Sequence, residues 1–146
     1  MRAAKYLLLP MGFAALCGQA LGSAACVMAK WQGDTLDYAL AVVDGHPAEA
    51  QAAAEQALRA KGYGSFMARL DVIHPQAVTD LAQGHLVVIK TTYTTVRGKQ
   101  RSSYGCGFAQ TSAEAALWEA MRDLQAHSWG WKPDRHGFEV VEKRSY

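Results

Sequence analysis

The run from Leu86 to Ala109 constrains this chain more than any other segment. Leu86 to Val96 is dense in Val, Ile, Thr and Tyr, and it passes through Arg97-Gly98-Lys99 into Gln100 to Ala109. β-Branched and aromatic side chains suit a pleated, half-buried surface, and a Gly-centred turn between two such runs makes a long hairpin. An isolated hairpin is marginal in water, so other elements must cover it. Two predicted helices are available for that. Ala48 to Lys61 is rich in strong helix formers, with Ala50, Ala53, Ala54, Ala57 and Leu58 on one face. Pro47 suits its first position and Gly62 its stop. Ala113 to about His127 follows Thr111 and Glu114 in capping-box register and turns Ala116, Leu117, Ala120, Met121 and Leu124 inward.

Three further strands complete the pattern. Leu36 to Val43 is apolar enough for a strand covered on at least one face, and Ser65 to Ile73 reads as a second, ended by His74-Pro75. Phe138 to Lys143 is a short last strand, while residues 26–35 read as an irregular lead-in. The expected order is strand-helix-strand-strand-strand-helix-strand. It makes an α+β domain with a five-stranded, mostly antiparallel sheet and two helices packed on one face. An offset of 66 places Tyr38 on Tyr104, Ala50 on Ala116, Ala54 on Ala120 and Leu58 on Leu124. Most of these matches are alanines in an alanine-rich chain, so the fold reading does not rest on them.

The N-terminus sets the expected compartment. Met1-Arg2-Ala3-Ala4-Lys5 is a short basic segment, Tyr6 to Ala20 is apolar, and Gly22-Ser23-Ala24-Ala25 is a run of small residues suited to signal peptidase. Residues 1–25 are therefore expected to be a cleaved signal peptide, and residues 26–146 a single exported domain in the periplasm or outside the cell. Of the 15 basic residues, Arg2 and Lys5 lie in the leader, so the mature chain balances 13 basic against 13 acidic residues. About 120 residues bury roughly two thirds of their unfolded surface in one core. No segment after the leader approaches the roughly 20 apolar residues of a membrane helix. Cys26 and Cys106 remain as an even pair in an oxidising compartment, expected to form a disulfide. The competing expectation is a lipoprotein anchored through Cys26, although Ser23 stands where a lipobox normally has Leu.

The order helix, three strands, helix, with Gly105-Cys106-Gly107 leading into an Ala-rich helix, resembles a double-stranded RNA-binding domain. That family places lysines at the start of its second helix, where this chain has Gln110, Thr111 and Ser112. A neutral exported domain also lacks the basic face that phosphate binding needs, so no nucleic-acid partner is expected. The five histidines form no His-x-x-x-His spacing, and no metal or cofactor is expected. Cys106 lies within a predicted strand rather than at a helix N-terminus, where a catalytic thiol is usually activated. No catalytic residue is assigned, and a small secreted hydrolase using Cys106 or a histidine is the alternative reading.

Two segments suit a partner. His127 to His136 carries Trp129 and Trp131 across a glycine, followed by Lys132, Arg135 and His136. That is the composition of an interface hot spot or a sugar-stacking platform. Trp131 is the expected contact and Trp129, nearer the helix end, the expected lid. The hairpin tip adds a secondary basic patch at Arg97, Lys99 and Arg101. The reading is a small exported binding protein, of inhibitor, immunity-type or accessory class, with an unidentified protein or envelope-polymer partner.

Overall fold

The computed structural model describes residues 22–64 and 71–146. Its elements are β1 (Ser23–Trp31), β2 (Asp34–Val43), α1 (Pro47–Ala60), β3 (Val72–Thr79), β4 (His85–Thr94), β5 (Gln100–Ala109), α2 (Ala113–His127) and β6 (Glu139–Ser145). The fold is α+β, but the single five-stranded sheet is replaced by two three-stranded antiparallel sheets, ordered β2-β1-β3 and β5-β4-β6. The helices do not share a face. On the first sheet, Val27, Ala29 and Ala39 meet Ala54 and Leu58 of α1. On the second, Val87, Ile89 and Tyr93 meet Ala116, Ala120 and Leu124 of α2. The opposite faces of both sheets close on each other through Cys26, Met28, Leu86, Val88 and Cys106. The layers therefore run α1, first sheet, second sheet, α2. The resemblance to a double-stranded RNA-binding domain ends here, because β3 lies in a different sheet from β4 and β5.

The strand missed in the sequence is β1, which replaces the expected lead-in and is the centre of its sheet. It pairs with β2 from Ser23↔Val43 to Trp31↔Asp34 and with β3 from Ala24↔Thr79 to Lys30↔Val72. A strand covered on both faces shows no polar alternation, and alanines carry little β preference, so neither signal was present. A two-residue turn joins it to β2, with Gln32 at φ 49° and Gly33 at φ 86°, the paired positive values of a type I′ hairpin. β3 also differs from expectation. It continues through His74-Pro75, which an edge strand tolerates where a proline's missing N–H faces outward, and it bulges at Gln76, next to Pro75. The expected strand residues 65–70 lie outside the described residues.

The same unit occurs twice. β1-β2-α1-β3 and β4-β5-α2-β6 have one topology, and each third strand carries one extra residue against its central strand, Gln76 opposite Cys26/Val27 and Val141 opposite Val88/Ile89. The buried helix residues Ala50, Ala54 and Leu58 match Ala116, Ala120 and Leu124 at the offset of 66. Tyr38 and Tyr104 match at the same offset and meet between the sheets, ring centroids 5.2 Å apart. The helices are capped differently. The His46 imidazole accepts from the Ala48 N–H at 3.2 Å, and Ser112, not Thr111, caps α2 by accepting from the Ala115 N–H at 3.0 Å. α2 lies close on β5 because Gly105 and Gly107 have no side chains. A Cβ on Gly107 would collide with the Ala116 carbonyl, and one on Gly105 with the Ala120 carbonyl. Cys26 and Cys106 are disulfide-bonded across the two sheets, with Cα atoms 6.4 Å apart.

Candidate functional site

The loop after α2 is built on a tight turn. The helix ends at Ser128, whose buried hydroxyl meets that of Ser103 on β5. The Trp131 N–H donates to the Ser128 carbonyl at 3.0 Å, which puts Trp129 and Gly130 at the tip of a four-residue turn. This settles the orientation of the two indoles, and it reverses the expectation. Trp129 at the tip is 97% exposed, while Trp131 returns to the core and is 3% exposed. Trp131 joins the cluster of Val87, Ile89, Tyr93 and Leu124, sets its ring against Phe138 at 6.5 Å, and directs Nε1 at the Gly137 carbonyl. The lid is thus Trp131, and the free ring is Trp129.

The rest of the loop is cross-tied around that anchor. The Arg135 and His136 N–H groups both donate to the Lys132 carbonyl, at 3.1 and 2.8 Å, and the Lys132 N–H donates to His136 Nδ1 at 2.9 Å. The His136 ring leans on Tyr93 at 5.7 Å, and the Thr91 hydroxyl donates to the Gly137 carbonyl at 2.7 Å. His136 is therefore half-buried and structural in its contacts, whereas Lys132 and Arg135 are exposed on the same loop as Trp129. A Cβ on Gly130 would press on Tyr93, so the turn rests directly on β4.

The basic patch divides in two. Arg97 and Lys99 are exposed on the β4–β5 turn, which is closed by the Thr95 N–H to the Lys99 carbonyl and the Gly98 N–H to the Thr95 carbonyl, both 2.8 Å. Arg101 instead donates from Nη1 to the Gln32 carbonyl at 2.8 Å and lies against Gly33, tying the second sheet to the first hairpin. Tyr93 is the cross-strand partner of Arg101 and touches the tryptophan turn, so Arg97, Lys99 and Trp129 share one end of the molecule.

A half-buried polar cluster was not foreseen from the sequence. Asp123 of α2 accepts from the Cys106 N–H and from Gln76 Nε2, both at 2.7 Å, and lies 3.1 Å from His127 Nδ1. Gln76 Nε2 also donates to the Tyr104 carbonyl at 2.7 Å. Burial pushes the Asp123 carboxyl above its ordinary value, against the opposing pull of the Cys106 N–H, Gln76, His127 and Lys30. Burial likewise holds the Lys30 ammonium below its ordinary value, with Asp123 acting against it. His74 on β3 stands edge-on to His127, with ring centroids 6.3 Å apart. The signal available in the sequence was a mismatch, since at the offset of 66 Asp123 falls on Ala57.

The two cysteines are paired with each other in the core. With its Sγ bonded to Cys26, Cys106 has no thiolate to attack with, and Cys26 is fully buried in the middle of β1. His46 caps α1, His85 Nδ1 lies 3.2 Å from the Ser145 hydroxyl, and His127 serves Asp123. Among the described residues no three His, Cys, Asp or Glu side chains converge as metal ligands, and no helix is long and apolar enough to cross a membrane. No family model matches this chain, and no curated protein or solved structure aligns with it significantly.

Proposed function

We propose that this chain is a small exported binding protein, periplasmic or secreted, whose protein or envelope-polymer partner docks on Trp129. The observation that carries the reading is the contrast within one turn: Trp131 is locked in the core while Trp129 is almost wholly exposed on a cross-tied loop. An indole held out this way contributes nothing to the fold, yet burying it against a partner removes a large apolar area and leaves its N–H free to donate. Because the loop is already ordered, little entropy is lost on binding. One such ring carries about 2 kcal/mol or more of binding free energy. Lys132 and Arg135 are exposed on the same loop, with Arg97 and Lys99 at the same end of the molecule.

Export is supported by the basic-apolar-small pattern of the leader, whose residues 1–21 lie outside the described ones, and by the buried cystine. Ser23, Ala24 and Ala25 are fully buried members of β1, which favours processing at or before Ser23 rather than beside Cys26. The test is capture of envelope proteins and isolated envelope polysaccharides on the immobilised domain. Trp129→Ala is expected to weaken capture at least tenfold, while Trp118→Ala, at another exposed indole on α2, leaves it intact. Equal capture by wild type and Trp129→Ala would remove the loop from consideration.

A further inference from the structure

Among the described residues, the duplicated unit has one edge that the chain covers itself and one that stays open. β5 is an edge strand, and two side chains cover its outer backbone at Tyr104 and Cys106. Gln76 donates to the Tyr104 carbonyl and Asp123 accepts from the Cys106 N–H. Together they make the two bonds that one residue of a parallel neighbouring strand makes, donating to one carbonyl and accepting from the N–H two residues on. In the first unit the matching strand is β2, with Tyr38 at the place of Tyr104 and Leu40 at that of Cys106.

The phase of the backbone is the same there. The Tyr38 N–H donates to the Asp37 side chain at 2.8 Å, so Tyr38 faces the free edge, and Leu40, two residues on, faces it too. Among the described residues, however, the backbone there has no such covering groups. Ala57 stands where Asp123 stands in α2, and Lys61 where His127 stands. In place of the filled gap there is an open cleft of about 390 Å³ lined by Tyr38, Leu40, Ala57 and Lys61, with Glu142 and Arg144 of β6 on its far wall. Asp37 is occupied by Lys61 at 3.0 Å, and Glu142 by the Tyr38 hydroxyl, which donates to it at 2.9 Å, and by Arg144 at 3.6 Å, so the wall charges are already balanced. A charged small molecule therefore finds no unpaired counter-ion, whereas a neutral peptide backbone finds one carbonyl and one N–H at strand spacing.

We propose that the β2 edge binds an extended peptide segment of a partner protein, running parallel to β2. One peptide residue donates its N–H to the Tyr38 carbonyl and accepts the Leu40 N–H through its own carbonyl. Its flanking side chains pass over Ala57 on one side and between Lys61 and Arg144 on the other. The site is separate from the Trp129 loop and rests on a different observation.

Two measurements test it. In the free protein the Leu40 amide is expected to exchange hydrogen at least tenfold faster than that of Cys106; equal protection would mean that the edge is not open. Peptides selected from a displayed random nonapeptide library on the disulfide-bonded protein are then expected to slow Leu40 exchange at least tenfold. Ala57→Asp, which installs the missing carboxylate at an exposed position beside Lys61, is expected to cut their retention at least tenfold, and Ala57→Gln to do the same. Trp129→Ala is expected to leave it unchanged, which separates this site from the one above. Failure to select any peptide, or selected peptides that ignore both Ala57 variants, would overturn the proposal.

Discussion

Replacing Trp131 by alanine tests the loop at its anchor. The ring is 3% exposed, packs with Val87, Ile89, Tyr93 and Leu124, and borders Phe138, so its removal leaves a cavity between α2 and β4. Large aromatic truncations of this kind cost about 3–5 kcal/mol, the spread reflecting how far the surroundings collapse. For a domain of this size that corresponds to a fall in Tm of roughly 10–20 °C. Trp129→Ala removes a ring with 97% exposure and is expected to stay within about 0.5 kcal/mol of wild type. Urea denaturation followed by far-UV circular dichroism measures both without relying on the indoles as reporters. A Trp131→Ala midpoint within about 0.5 kcal/mol of wild type would mean that the loop is not anchored through this ring. A loss above about 2 kcal/mol at Trp129 would mean that the exposed ring has a structural role the fold does not account for.

Opening the cystine by a Cys26→Ala/Cys106→Ala double change is expected to cost about 2–4 kcal/mol, since the closed loop spans a sequence separation of 80 residues. Intact mass of protein from the periplasm is expected to fit a chain beginning at or before Ser23 with two hydrogens missing; a start at Cys26, or an added diacylglycerol, would contradict it. Gly107→Ala is expected to destabilise by about 1–3 kcal/mol, measured by denaturant midpoint, because the new methyl meets the Ala116 carbonyl. Stability should also decline as pH rises from about 4 through the raised Asp123 value. Over that range the unfolded carboxyl releases its proton before the folded one does, which favours unfolding. Asp123→Asn is expected to flatten that slope, and an unchanged pH profile would place the dependence elsewhere.

Elements with a strong local pattern were legible in the sequence. The β4–β5 hairpin, both helices and their buried residues Ala50, Ala54, Leu58, Ala116, Ala120 and Leu124 came from periodicity, and the cystine from cysteine count and compartment. β1 did not, because Ser23 to Ala29 is alanine-rich, buried on both faces and continuous with the leader pattern. One sheet or two cannot be decided from any single strand. The decision lies in which faces pair, and the offset of 66 was its only trace. The Trp129/Trp131 exchange turned on one backbone bond, from the Trp131 N–H to the Ser128 carbonyl, which composition does not encode. Asp123 was hidden for a related reason: its partners Gln76 and Cys106 are remote in sequence and meet only after the sheets close.

The apolar face that each unit turns inward has a consequence for how such a molecule assembles. Among the described residues, Cys26, Met28 and Leu40 on one side, and Leu86, Val88 and Phe108 on the other, are covered chiefly by the opposing sheet. A single β-β-α-β unit made alone would leave that face wet, and the remedy open to it is a second copy of itself. The chain thus has the form of a homodimer joined end to end. Once joined, the two copies are free to differ. The cystine uses that freedom, because the position matching Cys26 is Val88 and the position matching Cys106 is Leu40, a pairing that no symmetric dimer of either unit would form.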